Sequence, residues 1–238
     1  MSLFIVVAFS YIRNEAESSV NKKHTMNTGL REIIKNYKDI KHEIFGKDDI
    51  LFTENEAPRG IYCIEKGSVK LFKKDQSGEN RIIYLATSGE MLGVHSVVND
   101  HPYTTTAAAI SETQIVFIAF DDFKKLIESK STYKLLVMKS LCERIDTMEE
   151  HIAGVSEKIT EERFADTLLM LIDKYGVNSS NILNVNLSLD ELASFTCTSK
   201  SYMKKIASDF SSKGLVTISA NTIKILDLSR IKNIINPA

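Results

Sequence analysis

The chain has 238 residues, about one and a half times a typical domain, so two domains are the default expectation. Apolar residues make up 43% and charged ones 26%, which argues against wholesale disorder, while 10 Gly and 3 Pro exclude collagen-like and low-complexity architectures. Lys plus Arg number 30 against 31 for Asp plus Glu, so any nucleic-acid contact must come from a local basic patch rather than a global field.

The apolar run at 3–9 is too short to cross a bilayer, which needs about 20 residues. It lacks a preceding basic segment and a following small-residue cleavage site, so no secretory signal is expected. Residues 1–30 read as an N-terminal extension of unknown role, with Met26 a candidate alternative start. Cys63, Cys142 and Cys197 lie far apart and form no CxxC. Such a sparse, odd set fits a reducing cytoplasm, the expected location, and forms neither a disulfide framework nor a thiolate metal cluster.

Residues 31–128 read as a β-barrel sensor domain. Short apolar or alternating runs at 50–52, 61–64, 69–72 and 82–85 are separated by Pro58-Arg59-Gly60, Lys66-Gly67-Ser68, Asp75-Gln76-Ser77-Gly78 and Ser88-Gly89. Further strands are expected at 104–109 and 114–120. Short strands at even spacing predict an antiparallel barrel or jelly roll.

Beyond Asp121 the period changes. Met138, Leu141, Ile145, Met148, Ile152 and Val155 are spaced 3, 4, 3, 4 and 3 residues apart, an a/d heptad seam, with charged residues filling the rest of the surface. This predicts a dimerisation helix within 129–157, with Met138, Leu141, Ile145, Met148 and Ile152 at the interface and Leu135 and Leu136 free to face the barrel. A further helix is expected at 160–175, capped by Thr160 and ended by Gly176, then a loop and a short strand near 183–187.

Residues 158–238 read as a DNA-binding domain. Ser188 with Glu191 three residues on makes a capping box for a first short helix. Thr196-Cys197-Thr198 forms a tight turn and Ser199 caps a second helix, which packs Met203, Ile206 and Phe210 inward. Ser199, Lys200, Ser201, Tyr202, Lys204 and Lys205 are then the candidate DNA contacts, as the second helix of a helix-turn-helix enters the major groove. Runs at 215–218 and 222–226 around Ser219-Ala220-Asn221 predict a hairpin wing. From Cys197 onward seven Lys and Arg face only two Asp, a local positive excess that attracts phosphates. The expected fold class is therefore α+β: a barrel, a long helix and a winged helix-turn-helix.

This order resembles the CRP/FNR family of bacterial transcription regulators over roughly 48–228. The residues that carry the likeness are Ile61-Tyr62-Cys63-Ile64-Glu65-Lys66-Gly67-Ser68-Val69-Lys70-Leu71, the Gly89-Glu90-Met91-Leu92-Gly93 turn, and 189–215. The resemblance implies a homodimer that reads a two-fold symmetric double-stranded DNA operator and contacts RNA polymerase, with no membrane partner.

The departures set the effector expectations. Cyclic-AMP-binding members carry a Glu for the ribose where this chain has Val94, and an Arg for the phosphate near Thr104. The helix Thr and Ser that touch the base correspond to Met148 and Glu149. A phosphate without its cation would lack its main partner, so cyclic AMP is not expected. No cysteine precedes Cys63, so the family's iron–sulfur cluster is not expected either. His95 stands in a stretch similar to the haem-ligand segment of carbon-monoxide-sensing members, but their companion Cys is Gly93. A lone His at a barrel turn is more often a hydrogen-bonded structural residue, so haem is the minor reading and no cofactor is identifiable. Val94, His95, Ser96, Thr104, Thr105 and Met148 are the candidate effector-pocket residues.

At the start of the reading helix, Lys200-Ser201 stands where relatives often present Arg-Glu, so the operator should differ from the family's usual half-site. The competing class is a cupin-type metal-dependent enzyme on a jelly roll. It would need a His-x-His start, which His24, His42, His95, His101 and His151 do not supply.

Overall fold

A computed structural model of the chain describes Ile34 and residues 41–235. The expected extension at 1–30 lies outside them. Strands β1 (Lys41–Phe45), β2 (Ile50–Phe52), β3 (Gly60–Lys66), β4 (Ser68–Lys74), β5 (Asn80–Thr87), β6 (Met91–Leu92), β7 (Thr106–Ala109) and β8 (Thr113–Ala119) build two antiparallel sheets, ordered β1-β8-β3-β6 and β2-β7-β4-β5. A short helix, α1 (Val94–Val98), stands between β6 and β7.

Side-chain alternation explains why the central strands read as nearly continuous apolar runs: both of their faces are buried. Tyr62 and Ile64 of β3, Leu71 of β4, Tyr84 and Ala86 of β5, and Ile115 and Phe117 of β8 fill the barrel interior. Ile61, Cys63, Val116 and Ile118 point the other way, against α2 (Phe120–Ser129) and α3 (Ser131–Glu157). Phe72, Ile82, Leu85 and Ala108 face outward from the second sheet and pack on the C-terminal domain. Each buried Val, Leu, Ile or Phe among them contributes about 1.5–3 kcal/mol.

Gly67 turns β3 into β4 at φ 100°, where a Cβ would come within 2.5 Å of the Thr113 hydroxyl. Both the left-handed backbone and the close approach require glycine there.

The C-terminal domain comprises α4 (Thr160–Tyr175), α5 (Leu189–Phe195), α6 (Lys200–Ser212), the hairpin β9 (Val216–Ser219) and β10 (Thr222–Ile225), and α7 (Leu228–Ile235). Phe164, Leu168, Leu192, Met203, Ile206, Phe210 and Ile223 form its core.

Several local expectations need correction. The strand expected at 104–109 begins only at Thr106, because Tyr103 exchanges backbone hydrogen bonds with the turn at Asn55 and Glu56. The strand expected at 114–120 ends at Ala119, and Phe120 opens α2. Strands β1 and β6 and helix α1 were not anticipated. β1 is a half-exposed edge with little apolar alternation, and β6 has only two residues.

Ile159, not Thr160, occupies the N-cap of α4, and its N–H donates to Glu162 Oε2 at 3.0 Å. The segment at 183–187 alternates buried and exposed as a strand would. Within it only Leu183 forms an isolated bridge, to Val177, while the preceding Ile182 bridges Lys224 of the wing.

Candidate nucleic-acid interface and effector cavity

The helix-turn-helix is assembled by local hydrogen bonds that its sequence spells out. Ser188 N–H donates to Glu191 Oε2 at 2.8 Å while Glu191 N–H donates to Ser188 Oγ at 3.2 Å, closing the capping box of α5. At the turn, Cys197 adopts φ 55° and Thr198 N–H donates to Ala193 O. Ser199 Oγ accepts from Tyr202 N–H at 3.2 Å and caps α6.

With Met203, Ile206, Ala207 and Phe210 buried, α6 turns Lys200, Ser201, Lys204 and Lys205 to solvent. Tyr202 departs from this set. It is half-buried and its O–H donates to Glu161 Oε1 of α4 at 2.7 Å, so it ties two helices together. That bond to a carboxylate raises the Tyr202 pKa above the ordinary phenol range. Lys200 is also engaged, 3.4 Å from Asp190 of α5 and 3.8 Å from Glu79 in the β4–β5 turn. The wing turns at Ala220, φ 50°, and leaves Lys224 exposed.

Arg163 was missed by sequence reasoning. From α4 it donates to the carbonyl of Lys158 (3.0 Å) and the Thr160 hydroxyl (3.1 Å) at the α3–α4 hinge. It also donates to the carbonyls of Thr196 (3.1 Å) and Cys197 (3.4 Å) in the helix-turn-helix turn. One planar five-donor group thus links hinge to reading head. No local pattern foretells partners 33 and 34 residues away.

The reading head docks on its own barrel. Lys70 of β4 lies 2.6 Å from Glu191 of α5 and 2.9 Å from Asp48, with Lys70 and Glu191 largely buried. Burial opposes the Lys70 charge, but hydrogen bonds to Glu191 and Asp48 outweigh it and hold the ammonium above its ordinary range. Burial likewise opposes the Glu191 carboxylate, which Lys70 and Ser188 nevertheless keep below its ordinary range. Ser194 Oγ accepts from Ile82 N–H at 2.8 Å and donates to Asn80 O at 2.7 Å, so α5 hydrogen-bonds to the backbone of β5.

Helix α3 carries two adjacent apolar columns. Leu135, Met138, Ile145 and Ile152 are 66%, 60%, 53% and 65% exposed on one side, with Cys142 on the same line. Leu141 instead packs with the cluster on the outer barrel face, and Met148 against the barrel interior. Leu136 faces the barrel as expected and Leu135 does not.

The expected effector-pocket residues do not converge. Val94 lines a cavity of about 380 Å3, which is walled otherwise by α3, α4 and the turn around Gly89. His95 is exposed, its ring 4.6 Å from that of His101. Burial, then His101 and Arg144, lower the His95 pKa. Ser96 Oγ donates to Pro102 O at 3.2 Å, Thr104 is exposed, and Thr105 is buried away from the cavity wall. The α1 turn scatters these side chains over different faces.

The barrel interior is packed by aromatic rings, with Phe52 stacked on Tyr103 at 4.1 Å and Tyr62 beside Phe52 and Phe117. Tyr103 O–H donates to Gly60 O at 2.8 Å. Val94 is buried and apolar, and Thr104 is turned to solvent. Among the described residues no group of three or more His, Cys, Asp or Glu is arranged to hold a metal, and no helix is long and apolar enough to cross a membrane.

Comparison with known proteins places these parts. Residues 42–130 match the family described as cyclic nucleotide-binding domain, and residues 162–234 match the Crp-like helix-turn-helix domain. The chain is 22% identical over 196 residues to the CRP-like cAMP-activated global transcriptional regulator of Mycobacterium tuberculosis, covering 82% of this chain and 88% of that one. It is 22% identical over 200 residues to the transcriptional activator protein anr of Pseudomonas aeruginosa, covering 83% and 80%. Its fold superposes on FixK2 from Bradyrhizobium japonicum with a TM-score of 0.74 at 17% identity, covering 84% of this chain and 100% of that one.

Proposed function

The chain belongs to the CRP/FNR family of transcription regulators, and on that footing we propose that it acts as a homodimer reading a two-fold symmetric DNA operator. The observation that carries this reading is the column Leu135, Met138, Ile145 and Ile152, which stands in solvent along a helix of 27 residues. Pairing two copies along that column removes the apolar surface from water, and a narrow stripe at heptad spacing suits a helix–helix seam. Leu141 and Met148 then support the helix from the barrel side.

In such a dimer the two α6 helices enter successive major grooves, about 34 Å apart. Lys204 and Lys205 meet bases or phosphates, Ser199 and Ser201 donate to the backbone, and Tyr202 sets the angle of α6 through Glu161. Lys200 joins them once it leaves Glu79. RNA polymerase is the further protein partner and the cytoplasm the site of action. We divide the chain into a barrel sensor at 31–128, a dimerisation helix at 129–157 and a DNA-binding domain at 158–238. The aromatic packing of the barrel supports an effector other than cyclic AMP.

Selection of bound duplexes from a random pool tests this reading. Recovery of a palindromic consensus with half-sites one helical turn apart is expected. Recovery of none, or of a single unpaired half-site, would overturn it.

A further inference from the structure

The 380 Å3 cavity lies where three parts of the chain meet: the turn between β5 and β6, the middle of α3, and the C-terminal half of α4. That volume suits a small metabolite. Arg144 enters the cavity from α3. Its side chain is mostly withdrawn from water and stacks over the Tyr84 ring at 4.6 Å. Among the described residues no hydrogen bond or ion pair reaches its guanidinium.

The neighbouring acid, Glu90, is already engaged. Tyr84 O–H donates to its Oε2 at 2.8 Å, and Lys174 Nζ lies 2.8 Å from its Oε1. A partly desolvated guanidinium offers five N–H donors and strongly favours a planar carboxylate acceptor. None of the Arg144 nitrogens is fully buried without a partner, so the donors face the open cavity and are free to meet a ligand.

The opposite requirement is met on the same walls. Glu150 of α3 and Asp173 of α4 line the cavity and have no ion-pair partner among the described residues. A plain anion bound to Arg144 would face these carboxylates, and a plain cation would face Arg144. A molecule carrying both charges satisfies both. Arg144 and Glu150 are six residues apart on one helix, about 9 Å along its axis. An α-amino acid carries both charged groups on one carbon, so a single small molecule presents a carboxylate to one wall and an ammonium to the other.

We propose that this cavity binds a small zwitterion of the amino-acid class, with its carboxylate on Arg144 and its ammonium toward Glu150 and Asp173. The site lies outside the barrel interior, and its occupant touches the barrel, the long helix and the DNA-reading domain together. Only the effect on DNA rests on the regulator reading above; the binding itself does not.

The test is the unfolding midpoint of the full-length protein with each proteinogenic amino acid in turn, using acetate and methylammonium as single-charge controls. At least one amino acid should raise the midpoint while neither control does. Arg144→Gln should weaken that ligand about tenfold or more by titration calorimetry, as expected when a charge-assisted pair is removed. Asp173→Asn, at an exposed position that tolerates change, should weaken the same ligand by a smaller factor. The proposal is overturned if no amino acid shifts the midpoint, if acetate alone shifts it equally, or if both variants bind like the parent. Operator binding measured on the same samples keeps the two readings apart, since a protein that binds DNA yet ignores amino acids refutes only the cavity.

Discussion

Glu191 is both the N3 member of a capping box and the acid that faces Lys70 across the domain boundary. The first role is legible in sequence because Ser188 and Glu191 are three residues apart. The second is not, because Lys70 is 121 residues away. Glu191→Gln keeps the cap acceptor but leaves Lys70 with Asp48 alone, and should cost about 2 kcal/mol, between the values for exposed and fully buried pairs.

The pH dependence has a definite sign. The Glu191 pKa is depressed in the folded protein, so its contribution is present above the ordinary carboxylate range and lost as pH falls through the folded value. Denaturant midpoints of parent and variant should therefore differ at neutral pH and converge below about pH 4. A constant gap down to strong acid would remove the ion pair from the explanation. Arg163→Ala should leave the oligomer intact but loosen the helix-turn-helix turn, lowering operator affinity about tenfold, the effect of losing one or two charged hydrogen bonds. Anisotropy titration reads this directly, and unchanged affinity would make Arg163 a local brace only.

The elements were legible in proportion to how local their causes are. The hairpin wing, the capped helices and the doubly buried strands follow from turn residues and apolar period. Helix α3 shows where such reading stops. Its two apolar columns, Met138-Ile145-Ile152 and Leu141-Met148-Val155, each repeat every seven residues, so the sequence presents them as one seam. Only the barrel beneath decides that Leu141 and Met148 turn inward. The expected pocket residues do not line one cavity, for a related reason. Residues close in sequence around α1 point to different faces, whereas Tyr84, Arg144 and Lys174 converge from three distant elements.

Ile145→Asn places an amide on the exposed column, and should raise the dimer dissociation constant by at least about tenfold, since each protomer then gives up one aliphatic side chain from the seam. Sedimentation velocity reads the shift, and an unchanged dimer would move the interface elsewhere. On α6, Lys205→Ala should reduce the slope of log affinity against log salt by about 1 for each phosphate no longer neutralised. An unchanged slope would place Lys205 outside the interface.

At the scale of the molecule, one barrel side faces the long helix and the other holds the DNA-reading domain through Lys70, Ser194 and a continuous apolar cluster. The hinge at Lys158 and Ile159 joins them, with Arg163 bonded across it. Arg163 thereby links the end of α3 by hydrogen bonds to the turn that precedes α6. The central claim is that two such chains, paired along α3, present their α6 helices to one duplex. Native mass spectrometry of the full-length protein with a selected operator duplex tests it most directly. Two chains per duplex, with the dimer also present in free protein, is the predicted result. One chain per duplex at saturation, from a protein that stays monomeric in solution, would contradict it.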